Sequence, residues 1–277
     1  MISCNFFGGL GNNLFQLATV IGISEKYKFD LSIPSKVNRG NISIYGQSVD
    51  LEFNNLFENE FIYDRIPKNL RIYTHPDLNL NRTDYSFVEL PVQDNTIYHG
   101  YFQSEKYFSG VNIKEILKLK KENIDLVKDK FNSFFDRKTV SLHYRLGGDR
   151  VTNHMQYYHK NVSVDYYKTC IDQIKKESSE DFNILIFTDN MKMCKEKLSE
   201  IDENFIYIDN GNSNILDFTF MSLCDINIVG NSTFSWWSAY LNQNDNNTVF
   251  VTESEWFGPG YKHFNLKDTF PEKWIRI

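Results

Sequence analysis

In the second half of the chain, from residue 139 on, apolar positions alternate between two periods. Runs rich in β-branched and aromatic residues predict strands over 139–144, 183–188, 205–208 and 248–252. Between them, residues 164–176, 191–198 and 214–223 repeat their apolar positions at helical spacing. A further short strand, Asp225-Ile226-Asn227-Ile228-Val229, runs through Gly230 into Asn231-Ser232-Thr233, after which Phe234 to Leu241 continue at helical spacing. Alternating strands and helices predict a parallel sheet with right-handed crossovers, and such sheets bind ligands at the carboxyl ends of their strands. Three loops fall there: His143-Tyr144-Arg145-Leu146-Gly147-Gly148-Asp149, Thr188-Asp189-Asn190 and Asn231-Ser232-Thr233.

The first half opens on the same unit. Residues 2–7 read as a strand, Gly8-Gly9-Leu10-Gly11-Asn12-Asn13 as a tight loop, and 14–28 as a helix with Leu14, Leu17, Ala18 and Ile21 on one face. From 34 to 95 the polar punctuation isolates short pieces such as Phe61-Ile62-Tyr63 and Leu70-Arg71-Ile72-Tyr73, whose order the pattern does not fix. Residues 96–103 predict an aromatic strand, Ser104 a helix cap, and 113–135 one long amphipathic helix. The polar Asp136-Arg137-Lys138 marks a boundary, giving domains 1–137 and 138–277, each long enough to bury its own core. The fold class expected is α/β.

Candidate chemistry gathers in the loops. Asn231, Ser232 and Thr233 are favoured helix N-cap types, and an N-terminus with unpaired N–H groups attracts anions, phosphates above all. Ordinary capping followed by two core tryptophans is the competing reading. Gly9 and Gly11 let a ligand approach the backbone, although the loop lacks a complete dinucleotide fingerprint and a plain turn remains open. A net charge of -6 argues against a nucleic-acid surface. No apolar run reaches bilayer-spanning length, which points to a cytoplasmic protein. Cys4, Cys170, Cys194 and Cys224 have no CxxC spacing and are expected reduced and buried. No Asp-x-Asp or metal-ligand spacing occurs, so no metal is expected.

Four stretches together resemble glycosyltransferase family 11, the α-1,2-fucosyltransferases: Gly8 to Ala18, Gly100-Tyr101-Phe102-Gln103-Ser104-Glu105-Lys106-Tyr107-Phe108, the His143-x-Arg145 loop, and Asn231-Ser232-Thr233-Phe234-Ser235-Trp236-Trp237. The resemblance implies a glycosyltransferase of the B type, with two Rossmann-like domains facing across a cleft. It also implies an inverting enzyme that uses GDP-fucose without an essential metal, and a glycan acceptor with a terminal galactoside. Arg145, at the end of a buried strand, is expected to make paired charge-assisted bonds to the diphosphate, unless it pairs with Asp149. His143 faces the same way and resembles a donor-contacting histidine, a satisfied core histidine being the alternative. Asp217 is expected to read the guanine edge, or else only to favour a helix N-terminus. Gly9, Gly11, Asn231, Ser232, Thr233 and Phe234 complete the donor-binding set, with Asn12 beside Arg145 as catalytic. The family pattern His-x-Arg-x-Gly-Asp is lengthened here by one glycine between Leu146 and Asp149. That leaves open a catalytically idle carbohydrate-binding homologue, and another GDP-sugar donor or fucosyl linkage also stands as an alternative.

Overall fold

Two all-parallel sheets organise the chain in the computed structural model, which describes residues 1–34, 52–64, 69–79, 85–178, 180–201, 203–211, 213–244 and 246–277. The chain divides into two compact units, Met1–Lys120 with Phe264–Pro271, and Lys121–His263 with Glu272–Ile277. Both units are therefore α/β.

The first unit contains β1 (Ile2–Cys4), α1 (Leu10–Tyr27), β2 (Leu31–Ser32), α2 (Phe53–Leu56), β3 (Arg71–Thr74), β4 (Thr96–His99) and α3 (Ile113–Ile116). Its sheet runs β2-β1-β4-β3. Helix α1 starts at Leu10, four residues before the predicted 14, because Gly9 in extended conformation serves as N-cap and Gly11 is buried in the first turn. The segment Phe264–Pro271 joins this unit through Asp268, which accepts from Lys106 Nζ at 2.6 Å and from Phe87 N at 2.9 Å. No local pattern announces that return of the chain.

The long helix predicted over 113–135 is broken. After α3, Leu117 and Leu119 are buried with period two. The backbone there pairs with the end of α2, Glu58 N donating to Lys118 O at 2.8 Å and Lys120 N to Leu56 O at 2.9 Å. Those bonds use groups that a continuous helix would need. The helix resumes as α4 (Lys121–Lys130), so the division falls at Lys120, ahead of the expected Arg137. Val127 of α4 is buried with Phe220 and Met221 in the second unit.

The second unit continues with β5 (Lys138–Tyr144), α5 (Asn153–Tyr158), α6 (Val164–Glu177), β6 (Phe182–Thr188), α7 (Met191–Leu198) and β7 (Phe205–Tyr207). It closes with α8 (Asn214–Met221), β8 (Ile226–Val229), α9 (Thr233–Tyr240), β9 (Thr248–Val251) and β10 (Ile275–Arg276). Successive strand residues serve opposite faces of the sheet. Ile184 and Ile186 pack with Tyr167, Cys170 and Ile171 of α6, whereas Leu185 and Phe187 pack with Phe220 and Met221 of α8. Covered on both faces, the strands can be almost wholly apolar. The sheet order is β10-β9-β8-β5-β6-β7, so the chain moves outward from β5 to β7 and then crosses back to β8. This is a topological switch point, and it lies between β5 and β8.

All four cysteines are free and buried. Among the described residues, no helix is long and apolar enough to cross a membrane.

Candidate functional site

The loops leaving β5, β6 and β8 converge at the switch point. β5 and β6 pair in register, with Tyr144 opposite Thr188, so the next residues, Arg145 and Asp189, emerge side by side. Asp189 Oδ1 accepts from the amides of Leu146 at 2.7 Å and Gly147 at 2.8 Å, and its Oδ2 lies 3.3 Å from Arg145 Nε. Burial works to raise this carboxyl, but the two amides and Arg145 outweigh it and hold it below the usual carboxylate range. The side chain of Asp149, the partner considered for Arg145 in the sequence, lies outside the described residues. Asp189, whose loop the sequence placed at a strand's carboxyl end without a role for this residue, sets the Arg145 loop, while Asn190 caps α7 by accepting from Met193 N at 3.1 Å. Gly148 takes φ +61°, a left-handed conformation open to glycine at little cost, and a Cβ there would stand 3.3 Å from Arg145 Nη2.

Across the switch point, Gly230 lets β8 approach β5 closely. A Cβ there would stand 2.6 Å from the carbonyl oxygen of His143. Asn231 is 4% exposed and its side chain is committed inward. Its Oδ1 accepts from Arg150 Nη1 at 2.7 Å, and its Nδ2 donates to the carbonyls of Lys160 at 2.7 Å and Glu255 at 3.1 Å. Arg150 Nη2 also donates to Asn231 O at 2.9 Å. Asn231, placed among donor contacts by the sequence, thus holds the loop through its side chain. Ser232 is the N-cap of α9, its Oγ accepting from Phe234 N at 3.3 Å, and Thr233 opens the helix. Trp236 and Trp237 are fully buried, with Trp236 packed on Tyr240 and Trp274, which makes them core residues.

His143 is buried beside this helix end, its ring 5.7 Å from that of Phe234. Its Nδ1 is buried without a hydrogen-bond partner. Burial drives its pKa down to about 4; Asp189 opposes the shift, while Arg145 and Arg150 reinforce it. A histidine neutral when folded and ordinary when unfolded binds fewer protons in the native state, so stability falls as pH drops from about 6.5 toward 4. The loss attributable to His143 is about 3 kcal/mol over that window. Urea unfolding between pH 7.5 and 4.5 should therefore show a shallower pH dependence in His143→Gln than in the wild type. Identical slopes would remove His143 as the cause.

Asp217 sits in the first turn of α8, where its Oδ1 accepts from Asn210 Nδ2 at 2.8 Å. Burial raises its pKa, with the Asn210 bond opposing. Its neighbour Phe218 packs on Phe234 at 5.4 Å between ring centres, which connects α8 to α9 and so to His143. His143, Arg145, Ser232, Thr233 and Phe234 are therefore brought to one sheet end, with Asp217 flanking them.

In the first unit, the glycine loop meets the stretch after β4. Asn12 Oδ1 accepts from Gln103 Nε2 at 3.0 Å, and Gln16 Nε2 donates to Gly100 O at 3.1 Å. Beneath them lies a buried network that the sequence did not suggest. Asp77 Oδ2 accepts from the amides of Tyr101 at 2.9 Å and Phe102 at 2.8 Å, and lies 3.0 Å from His75 Nδ1. The Tyr107 hydroxyl is 2.8 Å from His75 Nε2. The visible hint was a His-Pro-Asp turn in a region whose strands had no assigned order.

A model of glycosyl transferase family 11 matches residues 1–277. An alpha-1,2-colitosyltransferase of Escherichia coli is 29% identical over 297 residues, covering 98% of this chain and 96% of that protein. A galactoside 2-alpha-L-fucosyltransferase of Caenorhabditis elegans is 23% identical over 319 residues, covering 98% of this chain and 74% of its own. In fold, the chain is similar to the crystal structure of fucosyltransferase NodZ from Bradyrhizobium, with a TM-score of 0.51 at 14% identity, over 87% of this chain and 93% of that one.

Proposed function

The chain belongs to glycosyl transferase family 11, and from that premise we propose that it is an inverting fucosyltransferase that moves L-fucose from GDP-fucose to a hydroxyl of a terminal galactoside, forming an α-1,2 linkage. The observation that carries this reading is the Arg145 guanidinium, fixed through Nε on Asp189 at the carboxyl end of β5. There a guanidinium can neutralise the diphosphate that gathers charge as its bond to the sugar breaks. The amides opening α9 at Ser232, Thr233 and Phe234 add positive potential from the other side of the switch point. The unpartnered Nδ1 of His143 is proposed to meet a donor hydroxyl or a phosphate, and Asp217, whose Oδ1 is engaged by Asn210, to accept from the N–H groups of guanine. In the first unit, Gly9 and Gly11 are proposed as donor-binding residues and Asn12 as a catalytic one, on the strength of the family's glycine-loop motif.

The Arg145–Asp189 contact, kept in a loop that carries the additional glycine, supports an active enzyme over an idle homologue. A second reading, in which the donor carries colitose in place of fucose, draws on the E. coli relative. Donor profiling by GDP release, with linkage analysis of the product, separates the two.

No group of three His, Cys, Asp or Glu residues among those described is placed to hold a metal ion. We propose a diphosphate site built from Arg145 and backbone amides, and GDP should raise the melting temperature equally with magnesium and in EDTA. At about a hundred times its dissociation constant, a ligand adds about 2.7 kcal/mol. A GDP shift that vanishes in EDTA would overturn the metal-free site.

A further inference from the structure

The carboxyl end of the first unit's sheet carries a cluster with the chemistry of a neutral-sugar site. The rings of Phe7, His99 and Tyr101 lie together, Phe7 at 5.0 Å from His99 and 4.8 Å from Tyr101 between ring centres. The carboxamide of Asn5 meets His99, while those of Asn12 and Gln103 pair with each other. Asn5 Nδ2 donates to His99 Nδ1 at 3.0 Å, which leaves the ring proton on Nε2, and no further bond is made by that nitrogen among the described residues. Burial lowers the His99 pKa against the pull of Asp77 and the Asn5 bond, so the ring is neutral. Gln103 donates through Nε2 to Asn12, yet its Oε1 is buried with no hydrogen-bond partner. A buried acceptor left unpaired is costly, so the Gln103–Asn12 bond is held by its surroundings at the expense of that oxygen.

The loop bearing Tyr101 and Gln103 is also held in an unfavourable backbone state. Phe102, fully buried, has φ +55°, a left-handed conformation that bulky residues rarely adopt. The amides of Tyr101 and Phe102 are pinned by Asp77 Oδ2, and the Phe102 ring packs on His75 at 5.0 Å between ring centres. Strain of this kind persists only where the surroundings over-determine it, as at preorganised ligand sites.

We infer that this cluster is the acceptor subsite and binds a neutral pyranose, with Tyr101 and Phe7 against the sugar's C–H face and His99 Nε2–H donating to one hydroxyl. The inference rests on the reading of the chain as a transferase with a glycan acceptor. It adds which residues recognise that acceptor, and that recognition is of an uncharged sugar. Rings supply apolar contact to C–H faces, while amides and a neutral imidazole offer directional donors and acceptors without charge.

The test is saturation-transfer NMR with GDP present, on methyl glycosides of galactose, glucose, N-acetylgalactosamine, N-acetylglucosamine and rhamnose. At least one should bind the wild type. Tyr101→Ala and His99→Ala should each weaken that glycoside tenfold or more, with melting temperature and GDP-induced shift unchanged. His99→Gln, which restores an N–H donor of similar reach, should stay within about threefold of wild type, whereas a purely structural role for the ring predicts no such rescue. The inference is overturned if none of the five glycosides binds, if Tyr101→Ala and His99→Ala bind as the wild type does, or if His99→Gln is as weak as His99→Ala. Glycoside binding that depends on Tyr101, in a protein that GDP fails to stabilise, would keep this subsite and reject the GDP-sugar reading.

Discussion

Arg145→Ala lowers turnover per folded molecule by about a hundredfold or more, while the affinity for GDP falls far less. The reason is the timing of charge. Bound GDP-fucose already carries its diphosphate charge, but the charge on the leaving oxygen grows as the bond to the sugar breaks, so a guanidinium there contributes most in the transition state. A charge-assisted hydrogen bond is worth about 1.5–3 kcal/mol, and two parallel bonds that strengthen during the reaction reach the hundredfold range. Arg145→Lys should recover little, because a compact ammonium has no planar fork for two phosphate oxygens. The competing role is purely structural, with Arg145 serving as counter-ion to Asp189, from which its Nε is 3.3 Å away. That role predicts a less stable protein whose folded fraction turns over almost normally. Turnover normalised to folded protein, measured for both variants, discriminates between the two.

The parts of the fold that can be read locally are those whose burial alternates strictly. β6 sends successive residues to two covered faces, and α7 begins and ends where its cap and its last apolar residue place it. The break after α3 was illegible because Ile113, Ile116 and Leu117 keep a helical spacing up to it, and only the pairing of the next backbone groups with α2 selects the extended alternative. Sites divide in the same way. The placement of Arg145 just past a strand end and of Ser232 at a helix N-cap could be read from the sequence. The role of Asp189 was hidden because Thr-Asp-Asn before a helix also makes a good cap, so its letters do not single it out. The signal that could have exposed it is topological: β5 and β6 are successive parallel strands, so residues one step beyond each end become neighbours. Arg150 had no such signal, since its partners Lys160 and Asn231 lie 10 and 81 residues away and only the folded loops bring them together.

Asp189 therefore carries the second large effect, as a positioning residue. One carboxylate receives the amides of Leu146 and Gly147 on Oδ1 and faces Arg145 Nε with Oδ2, so it fixes both the path of the loop and the plane of the guanidinium. Asp189→Asn keeps one acceptor oxygen and replaces the other with a donor that repels Arg145 Nε–H. The amides can stay paired while the guanidinium loses its anchor. Turnover should fall on the order of tenfold or more, since small misplacements of a catalytic group cost rate steeply. The fold should survive this change better than Asp189→Ala, which strands two partly buried amides and should cost about 2–4 kcal/mol of stability. If Asp189 acts through Arg145, the two substitutions are not additive, and Arg145→Ala with Asp189→Asn should turn over within about twofold of Arg145→Ala alone. A double variant slower by the product of the single losses would show that Asp189 works on the reaction independently of Arg145. Normal turnover in Asp189→Asn would show that the loop keeps its catalytic geometry without this carboxylate.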